Sequence, residues 1–155
     1  MSKKDWVYMP HAGHLCVARW CQFHLNTYVN GYIVSTVGEY FPPVDHRRCI
    51  LESRLKVPFW NWSKEKINVA KKILGEQGDI FDDLYLREYG YDEIGLGRTY
   101  ETMVFKARKS SLGCCPYIMA DCESLWQDGY NSSTEAFEGH NDLCKKYDKE
   151  KPNLP

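Results

Sequence analysis

Two runs rich in apolar and β-branched residues flank the dipeptide Asn30-Gly31 and predict a β-hairpin over residues 21–40. A two-residue Asn-Gly loop favours a type I′ turn, in which both central residues take a positive φ. The turn fixes the strand register, so Val29 lies opposite Tyr32 and alternate pairs share one face. That face is mostly apolar, whereas the other becomes polar toward the strand ends. The pattern therefore predicts a hairpin with one side packed on a core.

The rest of the chain predicts two further strands and three helices. Strands are predicted at residues 6–9 and 98–106, and the second carries large apolar groups on both faces, as central strands do. Capping residues and apolar spacing predict helices at residues 64–74, 80–89 and 132–147. Their predicted inward residues are Ile67, Ala70 and Leu74; Phe81, Leu84 and Tyr85; and Phe137, His140, Cys144 and Tyr147. Residues 44–62 show no clear period, and we expect a short strand at Cys49-Ile-Leu.

These elements predict an α+β fold. The 155 residues are about the length of one domain. We expect a single small domain over residues 1–150, followed by a frayed tail at 151–155. In it, an antiparallel sheet that contains the 21–40 hairpin packs against two or three helices.

Composition and charge narrow the functional classes. Apolar residues make up 43% of the chain and charged residues 26%, which is typical of a globular protein. The net charge is −1, so a mainly electrostatic nucleic-acid binder is not expected. Lys106, Arg108 and Lys109 form only a weak basic patch. No secretory start and no long apolar run is found, so we expect a cytoplasmic protein without a membrane partner.

Seven cysteines and five histidines require an explanation. An odd number of cysteines cannot all pair in internal disulfides, and thiols stay reduced in the cytoplasm. Core packing, metal binding and catalysis are the remaining roles. The cysteines and histidines cluster in two regions of the chain.

The C-terminal cluster has the spacing of a zinc site. His140 and Cys144 are four residues apart on the predicted last helix, so their side chains point the same way. With Cys115 and Cys122 they give three thiolates and one imidazole, a set that zinc accepts tetrahedrally. The alternative is that His140 and Cys144 pack in the core, where free cysteine is common.

The N-terminal cluster places His11, His14, Cys16, Cys21 and His24 within fourteen residues. Part of it precedes the hairpin in irregular sequence, and loops often carry binding sites. A single ion shared by both clusters would join His11 or His14 to Cys114 or Cys115 and to the last helix. The candidate metal ligands are therefore Cys115, Cys122, His140, Cys144, His11 and His14, and the expected ion is Zn²⁺.

An enzyme is the alternative to a structural zinc protein. A hydrolase-like site on the polar face of the hairpin would use His14, His24 and Glu39 around a catalytic metal. Such a site keeps an open coordination position, whereas a structural site is closed by four protein ligands. A cysteine nucleophile, Cys16 or Cys21 activated by His14, is a further alternative.

Four blocks spread along the chain resemble a family of small proteins encoded by tailed bacteriophages and prophages. They are Met9-Pro-His-Ala-Gly-His-Leu15, Tyr32-Ile-Val-Ser-Thr-Val-Gly-Glu-Tyr40, Tyr100-Glu-Thr-Met-Val-Phe105 and Cys114-Cys-Pro-Tyr117. The resemblance brings no catalytic residues with it and implies only a setting, the cytoplasm of an infected bacterium. We therefore expect a non-enzymatic phage-type protein with a Cys/His structural zinc site. Its role would be binding, toward a host or phage protein or a small molecule.

Overall fold

The computed structural model describes residues 6–13, 20–74 and 83–153. The chain is α+β, as predicted, and divides into two compact units, residues up to 40 with 93 onward, and residues 41–92. The strands are β1 (Val7–Met9), β2 (Cys21–Val29), β3 (Tyr32–Tyr40), β4 (Tyr100–Lys109) and β5 (Tyr117–Tyr130). The helices are α1 (Val44–Leu55), α2 (Lys64–Leu74), α3 (Asp83–Tyr89) and α4 (Ser133–Asp148), with a short 3₁₀ helix at Phe59–Asn61.

The first unit is built on a five-stranded antiparallel sheet in the order β1-β2-β3-β4-β5. The predicted hairpin is confirmed, because Val29 pairs with Tyr32 and the register runs without a shift to Phe23 and Gly38. Asn30 and Gly31 have φ values of 50° and 86°, as a type I′ turn requires. The predicted central position of β4, between β3 and β5, is also confirmed.

The C-terminal segment lies against the hairpin turn. The backbone N–H of Asn153 donates to the carbonyl of Asn30 at 3.2 Å, and its side-chain amide donates to the carbonyl of Gly31 at 3.0 Å. A Cβ on Gly31 would lie 1.5 Å from the Asn153 oxygen, so only glycine fits beneath this contact. Residues 151–153, expected in a frayed tail, are thus held by the turn.

Helix α4 packs on one face of the sheet. Ser132 caps it, accepting a hydrogen bond from the backbone N–H of Glu135 at 3.2 Å, as the capping-box pattern predicts. The inward residues of α4 are Ala136, His140, Leu143, Cys144 and Tyr147. Phe137 was expected to point inward but is 53% exposed, because the fully buried Ala136 occupies the inward position of the first turn.

The opposite face of the sheet carries a second apolar cluster. Successive strand residues point to opposite faces, so Val34 and Val104 face α4, while Ile33 and Phe105 face away from it. Tyr28 and Tyr117 stack with ring centroids 3.6 Å apart in the same cluster.

Strand β5 was not predicted from the sequence. It is an edge strand in which seven of fourteen residues are exposed and only Gly129 is buried, so it lacks the apolar alternation that marks a half-buried strand. Its register against β4 also shifts: Phe105 pairs with Ser124, but Ala107 pairs with Met119. The extra residues between these pairs form a bulge, which interrupts any alternation that remains.

In the second unit, α1 corrects the expectation of a short strand at Cys49. Its inward positions are Arg47 and Leu51, four residues apart. Arg47 is 1% exposed; its guanidinium donates to the carbonyl of Ile73 and lies 4.7 Å from the Phe41 ring centroid. A buried arginine at an inward position conceals the helical period, because charged residues are almost always exposed and an arginine is therefore assigned to the surface.

The other two helices of this unit match their predictions in part. Helix α2 has the predicted bounds, and Ser63 accepts from the backbone N–H of Lys66 at 3.3 Å. Helix α3 is described from residue 83, so the predicted start at residue 80 and Phe81 lie outside the described residues. Tyr85 is buried as expected, whereas Leu84, expected inward, is exposed. No helix among the described residues is both long and apolar enough to cross a membrane.

Candidate metal centre

Residues 10–13, which follow β1, lie on the sheet face opposite α4. The side-chain amide of Asn26 donates to the carbonyl of His11 at 2.8 Å, and the His24 ring bonds the carbonyl of Pro10 at 2.8 Å. Gly13 approaches so closely that a Cβ there would lie 2.8 Å from the Ser35 side chain. These contacts with β2 and β3 place the His11 imidazole over the apolar cluster of that face.

The turn before β5 supplies two thiols. The backbone N–H of Ser110 donates to the carbonyl of Pro116 at 2.8 Å, which closes the loop from β4 to β5. Within this loop Cys114 is exposed, while Cys115 is 5% exposed. Cys115 packs in the buried cluster that contains Ile33 and Phe105, next to the exposed Cys114.

The two segments bring three metal-ligating side chains together. The Nδ1 atom of His11 lies 3.4 Å from the Sγ atom of Cys115. One ligand atom each from His11, Cys114 and Cys115 lies within 4.8 Å of the other two. Two ligands on one tetrahedral zinc ion are separated by about 3.5 Å, given the usual Zn–N and Zn–S bond lengths. The His11–Cys115 distance already fits a shared ion, and small side-chain rotations would bring Cys114 into range.

The electrostatic setting of Cys115 favours the protonated thiol in the absence of an ion. Burial raises its pKa, the neighbouring Cys114 raises it further, and a backbone hydrogen bond from His11 acts in the opposite direction. A bound cation would reverse this preference, because metal coordination requires the thiolate. The three groups can therefore hold a soft divalent or monovalent ion, with release of the thiol protons.

His140 lies on the other face of the sheet with both ring nitrogens engaged. Its Nε2 is 2.8 Å from the Thr27 hydroxyl and its Nδ1 is 2.8 Å from the Thr36 hydroxyl. The Thr36 hydroxyl in turn lies 2.6 Å from that of Thr102. Burial lowers the pKa of His140 to about 4, so the ring is neutral at physiological pH. In this arrangement the two nitrogens that could bind a metal are hydrogen-bonded to threonines.

Cys144 is fully buried beside His140. Burial raises the pKa of its thiol to about 12, against a smaller opposing effect of a hydrogen bond with Thr27. The predicted same-side arrangement of His140 and Cys144 is present. The pair, however, lies between α4 and the sheet, on the face that carries Val34 and Val104. His11 and Cys115 lie on the other face of the sheet. The sheet therefore separates the two groups, and the structure does not bring them to one ion.

Two further predicted ligands, Cys122 and His14, remain to be placed. Cys122 is exposed on β5, and within the described part of the chain only His11, Cys114 and Cys115 form a cluster of this kind. His14, like Cys16, lies outside the described residues. Of the six candidate ligands, the structure thus brings His11 and Cys115 together and adds Cys114.

The polar groups of the hairpin have structural partners. The His24 ring bonds Pro10, and Glu39 accepts a hydrogen bond from the Tyr100 hydroxyl at 2.7 Å. Cys21, a candidate nucleophile, is buried; burial and, less strongly, the carboxyl of Glu101 raise its pKa to about 12. A thiol with so high a pKa is not activated for attack at neutral pH.

Cys114 is a member of the group that the six ligands predicted from the sequence do not include. The signal that identifies it is the vicinal Cys114-Cys115 pair before Pro116, since adjacent cysteines in a turn project from one short segment. No protein-family model, no curated protein and no solved structure matches this chain. The candidate centre therefore stands on its own geometry.

Proposed function

We propose that this protein is a small, non-enzymatic binding protein whose sheet domain carries a structural zinc site. The observation that carries the proposal is the meeting of His11, Cys114 and Cys115 from two distant segments. An imidazole with two thiolates is a set that zinc binds in proteins, with the remaining coordination position taken by another donor.

A metal at this position would act as a cross-link. His11 and Cys115 are 104 residues apart in the chain. An ion bound to both ties the loop after β1 to the turn that leads into the edge strand β5. Because these two distant ligands meet only in the folded state, the free energy of metal binding adds directly to the free energy of unfolding.

The surroundings of the site suit a structural role. Cys115 belongs to the buried cluster of Met9, Ile33, Phe105 and Ala107, so one side of the ion would face apolar side chains. An apolar shell limits access of water to metal–thiolate bonds and strengthens their electrostatic attraction. The exposed Cys114 and His11 would cover the other side.

Binding would use the exposed aromatic side chains of the sheet unit. Tyr8 is 68% exposed and Phe137 is 53% exposed. Both line a cleft of about 210 Å³ with His24, Leu25 and Asn141. Large exposed aromatic residues are enriched where proteins bind partners. The resemblance to small phage proteins supports a host or phage component as the partner.

The binding role is tested by site-specific photo-crosslinking in infected cells. A photoreactive residue at Tyr8 or Phe137 is expected to give a discrete adduct, while one at the exposed Lys149 is not. Equal labelling at all three positions would count against a binding surface at the cleft.

The zinc site is tested by metal analysis of protein purified without a chelator or an affinity tag. Wild type is expected to hold about one zinc ion per chain, measured by native mass spectrometry and elemental analysis. Substitution of His11→Asn, Cys114→Ser or Cys115→Ser should remove or weaken it. Cys122→Ser is the matched control, because Cys122 is an exposed cysteine outside the group.

The proposal predicts that the Cys122 control keeps its zinc. If folded wild-type protein takes up no zinc from a buffered excess, the zinc role of the three side chains is excluded. The same conclusion follows if the three ligand variants retain zinc as the Cys122 control does. The hydrolase-like alternative gains no support from His24 and Glu39, whose bonds to Pro10 and Tyr100 are those of structural residues.

A further inference from the structure

All three methionines that follow Met1 in this chain belong to one cluster, and that cluster contains Cys115. Met9 is buried within it, and Met103 and Met119 pack against it. Methionine is a flexible apolar side chain that fills gaps in cores, but its thioether is also a soft metal ligand. Their presence in the cluster of Cys115 places four sulfur-containing side chains on that face of the sheet.

Two of these methionines lie within four residues of a metal-ligating residue in the chain. Met9 ends β1 two residues before His11, and it is only 5% exposed. Met119 lies on β5 four residues after Cys115 and pairs with Ala107, another member of the cluster. Met103 differs from both, since it lies within β4 opposite Ser35 and eleven residues before Cys114 in the chain.

Ligand softness distinguishes the ions that such a site would take. Zn(II) and Cu(I) both accept thiolate and imidazole ligands, but Cu(I) also prefers thioether sulfur. Methionine side chains packed in the cluster of Cys115 therefore favour Cu(I) over Zn(II), because zinc has little affinity for a thioether.

We propose that the His11, Cys114 and Cys115 site binds Cu(I) in preference to Zn(II), with Met9 as the thioether donor. This inference rests on the proposed function, since it requires that the three residues hold a metal ion. On binding, each thiol loses its proton to solvent and forms a Cu–S bond. Copper enters and stays as Cu(I), so no electron is transferred.

The test is a pair of anaerobic competition titrations on the full-length chain. Cu(I) is supplied as its complex with bathocuproine disulfonate, and Zn(II) is supplied with a zinc-binding dye. Wild type is compared with Met9→Leu, which removes the thioether at nearly constant volume, and with the matched control Met103→Leu. The double variant Cys114→Ser/Cys115→Ser gives the background from Cys49 and Cys122, which are exposed cysteines.

The proposal predicts that wild type binds Cu(I) more tightly than Zn(II). Met9→Leu should weaken Cu(I) binding by about tenfold, the usual effect of altering a residue that supports a metal site, and leave Zn(II) binding unchanged. Met103→Leu should change neither. Circular dichroism before titration confirms that each variant is folded.

The remaining outcomes separate this inference from the one on which it rests. If zinc binds at the three residues but Cu(I) binds less tightly, or if Met9→Leu behaves as Met103→Leu does, the copper inference is overturned and the zinc site stands. If neither ion binds wild type above the background of the double cysteine variant, both proposals fail.

Discussion

Two histidines lie on opposite faces of the same pair of strands and have opposite properties. His140 lies on α4, and its ring is hydrogen-bonded to Thr27 and Thr36. His11 lies in the segment after β1, where its own carbonyl accepts a hydrogen bond from Asn26 and the nearby Gly13 packs against Ser35. The partners are neighbours in sequence on β2 and β3. Successive strand residues point to opposite faces. Thr27 and Thr36 therefore face the buried His140 network, whereas the preceding residues, Asn26 and Ser35, face the side that carries His11 and the two thiols.

The difference shows what determines the chemistry of a histidine. His140 is 2% exposed and has a hydroxyl partner for each nitrogen, so its burial is compensated by hydrogen bonds. His11 is exposed and its Nδ1 lies against the thiol of Cys115. A histidine with a cysteine at helical spacing is therefore a structural group here, and a histidine in an irregular loop carries the candidate site.

The largest expected effect comes from removing the closed network. His140→Ala leaves a cavity and two buried threonine hydroxyls without their ring partner, so we expect the free energy of unfolding to fall by about 3–4 kcal/mol. His11→Asn, on the exposed side, should cost less than about 1 kcal/mol without metal. Denaturant unfolding of both variants in the presence of a chelator measures the contrast. Equal losses would mean that the two histidines do not differ in this way.

The second effect is a pH dependence that belongs to His140. Its pKa in the folded state is about 4, below the ordinary value of 6.5. The unfolded state therefore binds a proton first as the pH falls, and stability is lost between about pH 7 and pH 4, by about 3 kcal/mol in total. Below about pH 4 this contribution levels off, since the folded state is then protonated too.

The control for this pH dependence is His140→Gln, which keeps hydrogen-bonding capacity but does not titrate. Unfolding free energies of both proteins, measured at intervals from pH 7.5 to pH 4, should differ in slope while sharing the titration of all other groups. Parallel curves for the two proteins would show that His140 does not titrate with a lowered pKa.

The third effect is stabilisation by metal, which should involve only the sheet face that carries His11, Cys114 and Cys115. Zinc at about 100 times its dissociation constant should stabilise the wild type by about 2.7 kcal/mol. His140→Gln should retain this gain, whereas Cys115→Ser should lose it. Thermal melts with buffered zinc and with chelator measure both. If His140→Gln alone lost the stabilisation by zinc, the metal would instead be assigned to the sheet face that α4 covers.

The smallest effect is on thiol reactivity and leaves the fold unchanged. Cys144 and Cys21 have pKa values of about 12 and are buried, so they should resist alkylation until the protein unfolds. Cys114 and Cys122 are exposed and should react in the native state. Zinc should protect Cys114 and leave Cys122 reactive, as followed by peptide mass spectrometry. Equal protection of both cysteines would argue against a site at Cys114.

The elements that followed from sequence were those defined by local interactions. The hairpin depends on an Asn-Gly turn whose φ values are set within two residues, and the α4 cap depends on Ser132 and Glu135 within one turn. Helix α1 and strand β5 were missed for non-local reasons. The buried Arg47 interacts with Phe41 and Ile73, which lie outside its helix, and β5 owes its course to pairing with β4 across a bulge.

The sequence by itself determined which residues could bind a metal and that an antiparallel hairpin would lie among them. Only the tertiary structure decided which of these residues meet, because His11 and Cys115 are 104 positions apart and share no local pattern. It also decided that His140 and Cys144, which are adjacent on α4, face threonines and valines instead of other ligands. Spacing along a helix sets direction, but what stands opposite is set by the packing of strands distant in the chain.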